Sequence, residues 1–139
     1  MKKITLLVSI LVLLSGFDSC KGQENKGGIS QSVNSPVVSV YYFHFTRRCA
    51  TCMAVEENAR KAVEALYPDE VKKGKYSFAS LNLDEAGTKE MADKLGVGGQ
   101  TMLVVHGDKK TDITSGAWLA AHDLEKMKAE IKSGVGKVL

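Results

Sequence analysis

Cys49 and Cys52 stand three positions apart in the run Arg47-Arg48-Cys49-Ala50-Thr51-Cys52. Two thiols at this spacing share one disulfide or grip one soft ligand, and in exchange chemistry the thiolate is the reacting species. If the pair opens a helix, unpaired backbone N–H groups and the positive end of the helix dipole favour the charged sulfur. Cys49 is then the exposed nucleophile. Cys52, one turn further in, attacks the mixed disulfide formed on Cys49 and releases the reduced partner. Arg47 and Arg48 have no acid beside them in sequence, so both are expected to support a thiolate and to attract an anionic substrate or acidic surface.

The same two cysteines admit other readings. A structural staple is a weak one, because closing so short a loop removes only about 2 kcal/mol of unfolded-state entropy. A zinc site would need more ligands. His44 and His106 stand in apolar runs where a packed histidine is the simpler reading, so no metal site is expected. A metal, iron-sulfur cluster or arsenical held by the two thiols stays open, as does a non-catalytic interaction domain. The redox reading calls for no cofactor.

The elements that must position the dithiol follow from periodicity. Residues 37–46 (VVSVYYFHFT) are β-branched and aromatic, which predicts a central strand running straight into the dithiol. From residue 50 to 67 the period changes to three and four, with Val55, Ala59, Ala62, Val63 and Leu66 on one side. Glu56 with Arg60 and Glu57 with Lys61 lie outside, and Pro68 stops the helix. Residues 76–83 predict a second strand, 88–95 a short helix ended by Gly96, and 101–106 a third strand. A turn at 107–109, a fourth strand at 110–114 and a helix near 122–133 complete the order β-α-β-α-β-β-α. This is an α/β fold with a four-stranded mixed sheet flanked by helices.

The chain has 139 residues and a formal net charge of +3. That length suits one domain with appendages. Lys2 and Lys3 followed by the apolar run 4–14 predict an export signal over residues 1–19, too short for a permanent span of roughly 20 apolar residues. Cys20 follows small Ser19, as at a lipoprotein cleavage site, although Phe17 and Asp18 depart from the usual lipobox. Residues 20–35 read as a flexible tether with Cys20 as lipid anchor, and residues 36–139 as the folded domain. Export to the periplasmic side of the cell envelope is expected, with the membrane reached through Cys20. A nucleic-acid partner is not, since charges alternate in sign and no aromatic platform interleaves with basic residues.

With these residues in view, the stretch 37–131 resembles the thioredoxin family. Besides Cys49 and Cys52, residues 96–103 (GVGGQTML) are similar to the segment entering the strand opposite the active site, and 115–117 (SGA) to the family's last turn. The resemblance implies thiol-disulfide exchange with a protein redox partner. Three positions depart from it. Thr101 stands where the family carries a cis-proline, Phe43 where many members carry a buried acid, and Arg48 where a tryptophan precedes the first cysteine. Without proline, the bond before residue 101 is expected to be trans. Thr51, Thr101 and the two arginines are the supporting site residues on this reading. More narrowly, residues 41–44 (YYFH) and 48–52 (RCATC) resemble exported proteins named as accessory subunits of nitrophenyl-compound nitroreductases linked to arsenic resistance. That resemblance implies a nitroaryl or arylarsenical reductase as partner.

Overall fold

The computed structural model describes residues 37–139. The expected signal peptide, Cys20, the tether and the domain boundary at Pro36 lie outside the described residues. The elements run β1 (Val38–His44), α1 (Ala50–Leu66), α2 (Pro68–Lys72), β2 (Tyr76–Asn82), α3 (Ala86–Leu95), β3 (Thr101–His106), β4 (Lys109–Asp112), α4 (Thr114–Leu119) and α5 (Leu124–Val138). One mixed sheet has the order β2-β1-β3-β4. β1 pairs parallel with β2, placing Tyr41 opposite Ala79, and antiparallel with β3, placing Tyr41 opposite Leu103. This is a thioredoxin-like α/β arrangement.

Alternation along β1 divides the core. Val38, Val40 and Tyr42 face the side where α1 supplies Val55, Ala59 and Val63 and α5 supplies Met127 and Ile131. Phe43 faces the other side, with Leu103, Ala92 and Val97. Every β1 side chain except Tyr41 is buried, as expected for a strand covered on both faces. Each fully buried valine or larger apolar side chain contributes about 1.5–3 kcal/mol, so the larger cluster dominates stability and fixes α1 against the sheet.

Two short helices were not legible from periodicity. Pro68 does end α1, but it also opens α2, where its missing N–H and fixed φ suit a first turn. Residues 115–117, expected as a turn, lie inside α4. Asp112 Oδ1 accepts from the Thr114 N–H at 2.8 Å and so holds the chain at that helix's start. The last helix runs past Ser133 to Val138, because Val135 and Val138 continue the buried stripe begun by Met127 and Ile131. β4 begins one residue earlier and ends two earlier than expected, leaving Gly107 (φ 56°) and Asp108 as a two-residue turn.

Candidate functional site

The dithiol is built at the junction of β1 and α1. Cys49 is the N-cap residue of α1, with extended backbone (φ −85°, ψ 165°), and its Sγ accepts the Cys52 N–H at 3.1 Å. The first turn of α1 carries no acidic side chain, so nothing there neutralises the positive helix end. Cys49 and Cys52 form a disulfide, with Cα atoms 5.1 Å apart. Cys49 is exposed while Cys52 is only 6% exposed. The sulfur reachable by a partner is therefore Cys49, and the one shielded by the fold is Cys52.

The supporting residues divide. Arg47 is exposed and makes no ion pair among the described residues. Arg48 corrects the expectation of an unneutralised charge, because its guanidinium pairs with Glu56, two helical turns along α1. Glu56 also takes Arg60 at 3.0 Å, and its side chain is only 14% exposed rather than on the outer face. Thr51 is half-buried in the first turn of α1. Thr101 opens β3 opposite Phe43, and its hydroxyl donates to the Gly99 carbonyl at 3.0 Å. The bond preceding Thr101 is trans, like every peptide bond among the described residues.

Two residues not expected at the site touch the dithiol segment. The Gln100 side-chain amide donates to Cys52 Sγ at 3.7 Å. Beneath the helix start, the Tyr42 hydroxyl donates to the Cys52 carbonyl at 3.3 Å. Burial pushes the Tyr42 phenol above its ordinary value, Arg48 opposing and Glu56 adding to the rise, so the group is a protonated donor at neutral pH. Strand parity was the available signal for Tyr42: if Phe43 faces away from α1, its neighbour faces it. Phe43 itself is fully buried in the smaller cluster.

His44 and His106 do not join the cysteines. His44 is 9% exposed, its Nδ1 lying 2.9 Å from the Phe45 carbonyl, and His106 Nδ1 lies 3.1 Å from the Val138 carbonyl at the end of α5. No group of three or more His, Cys, Asp or Glu side chains suited to a metal occurs among the described residues. Two large apolar side chains near the dithiol are exposed. Phe45, four residues before Cys49, is 42% exposed, and Met53, beside Cys52, is 52% exposed.

Fold and dithiol together define a thioredoxin-like α/β domain with a C-x-x-C disulfide at the start of its first helix, an arrangement compatible with thiol-disulfide chemistry. No family model matches the chain, and no curated protein matches it. One solved structure, described as that of a malarial protein, aligns with 71% of this chain and 98% of its own length. Its sequence identity is 17% and its TM-score 0.46, a level at which nothing about function transfers.

Proposed function

We propose that this domain is a thiol-disulfide exchange protein working through Cys49 and Cys52. The observation that carries the reading is the asymmetry of the pair: an exposed Cys49 at the helix N-cap bonded to a buried Cys52 one turn on. A thiolate of a reduced partner attacks Cys49 Sγ, breaking the internal disulfide and releasing Cys52 as thiolate. The partner's second thiol then attacks its own sulfur in the mixed disulfide, and Cys49 leaves as thiolate. Two electrons pass to this protein and the partner becomes oxidised. Run backward, Cys49 attacks a partner disulfide and Cys52 resolves the intermediate.

The wider setting we propose is the cell envelope, reached by export and held by lipid on Cys20. The partner we propose is a reductase of nitroaryl or arylarsenical compounds, on the strength of the motifs at residues 41–44 and 48–52. Replacing Cys20 by Ser is expected to release the protein from membranes, and an unchanged membrane fraction removes the lipid anchor.

The test of exchange is a reduction potential. Equilibration in glutathione buffers, thiol trapping with a mass tag and a metal assay on the same sample are expected to show a metal-free, reversible two-electron couple between about −120 and −270 mV. Thiols that arrive with stoichiometric metal, or that fail to equilibrate, overturn the reading. Cys49→Ser with Cys52→Ser is expected to abolish electron transfer to the reductase, and full retention leaves only an interaction domain.

A further inference from the structure

We propose that the outer edge of β2 is a self-association surface, on which β2 of a second copy pairs antiparallel to join two sheets into one. β2 is a terminal strand of the sheet, and among the described residues nothing pairs with its outer side. It is seven residues long, YSFASLN, without a charge or a proline. Sheet edges left free are usually short, charged or interrupted, because unpaired N–H and C=O groups template further pairing. The opposite edge follows that rule: β4 has four residues, two of them Lys109 and Lys110. The β2 edge does not.

The groups it offers can be identified. The Val38 N–H donates to the Lys75 carbonyl and the Leu83 N–H donates to the His44 carbonyl, so residues 75 and 83 point their backbone groups at β1. Directions alternate along a strand, and Tyr76, Phe78, Ser80 and Asn82 therefore direct theirs outward. An antiparallel copy centred on Ala79 sets Phe78 opposite Ser80 and Tyr76 opposite Asn82. Every outward group then meets a partner, with Ala79 facing its own copy in a pair without hydrogen bonds. A groove of about 490 Å³ lies against the first half of β2, where Val63, Val71, Tyr76 and Phe78 line it together with the charged Arg60 and Glu64.

Charge selects a second copy in this direction. Lys72, Lys73 and Lys75 precede the strand, and Asp84 and Glu85 follow it. Antiparallel self-pairing brings the basic end of one copy beside the acidic end of the other at both ends of the seam, Lys73 and Lys75 lying just before the strand and Glu85 just after it. Parallel addition would set like charges together. The interface is isologous and closes at two copies. The dithiols, at the C-terminal end of each β1, then point toward opposite ends of the joined sheet and stay accessible.

The test uses the full-length chain in detergent. Ala79→Cys is expected to give a disulfide-linked dimer on mild oxidation. Leu81→Cys, whose two copies would sit about 13 Å apart along the strands, is expected to give none above the unmodified chain. In sedimentation, Lys73→Glu is expected to raise the dimer dissociation constant about tenfold, and adding Glu85→Lys to restore it. A chain that stays monomeric at high micromolar concentration overturns the proposal. So does cross-linking at residue 81 in place of 79. So does a monomer whose amides at Tyr76, Phe78, Ser80 and Asn82 resist hydrogen exchange, which would show the edge covered by the chain's own residues 21–36.

Discussion

Gln100 reaches across from the loop before β3 and donates its side-chain amide to Cys52 Sγ, 3.7 Å away. The donor meets the shielded sulfur, the one released when Cys49 is attacked. A donor stabilises a thiolate or thiol of the reduced form more than it stabilises a disulfide sulfur. Gln100→Leu keeps the approximate volume and removes the donor. The reduced form should lose about 1 kcal/mol, which lowers the reduction potential by about 20 mV. The glutathione titration reads this directly. An unchanged potential would mean that Gln100 only fills space.

Glu56 holds Arg48, the residue immediately before Cys49, and pairs with Arg60 as well. The positive charge beside Cys49 is thus partly cancelled by an acid eight residues on. Glu56→Gln frees that charge and is expected to speed alkylation of Cys49 at a given pH below neutrality and to raise the reduction potential, while Arg48→Ala moves both the other way. Opposite signs are the diagnostic, because a variant that merely loosened α1 would push both substitutions in one direction.

These two contacts show where the sequence was readable and where it was not. The strand through Tyr42 and Phe43, the amphipathic helix from Ala50 and the C-x-x-C at their junction follow from local periodicity and spacing. The core of residues 37–139 is made of such elements. Arg48 with Glu56 is not local in that sense: the pair forms because the loop before Cys49 folds back along α1, which no spacing rule encodes. Gln100 meets Cys52 across 48 positions through the pairing of β1 with β3. The short helices α2 and α4 carry too few residues to show a period at all.

Asp84 ties the two loops at the dithiol end of the sheet. Thr46, through its side chain and its backbone N–H, holds the Asp84 carboxyl below the usual aspartate range, with a smaller contribution from His44. Because the native value lies below the unfolded one of about 3.9, this contribution is fully present above that pH and disappears as pH falls through the native value. Thermal unfolding of the wild type and of Asp84→Asn is therefore expected to differ between pH 5 and 7, and the gap to close as pH drops below about 4. A gap independent of pH would assign Asp84 no charge-linked role.

Two glycines in α5 separate close packing from helix propensity. A Cβ on Gly134 would stand 2.9 Å from Val104 Cγ2 and 3.0 Å from Ile113 Cγ2, while a Cβ on Gly136 would meet nothing within 4 Å. Both neighbours of Gly134 are β-branched and stiff at χ1, so they yield little. α5 can lie this close to β3 only because position 134 has no side chain, and α5 in turn packs against α1, which presents the dithiol. Gly134→Ala is expected to cost about 1–3 kcal/mol from overpacking. Gly136→Ala is expected to gain about 0.5–1 kcal/mol from propensity, less if the last turn frays. Urea midpoints at constant slope measure both. Should Gly134→Ala also stabilise, α5 would have to sit further from the sheet than Val104 and Ile113 place it.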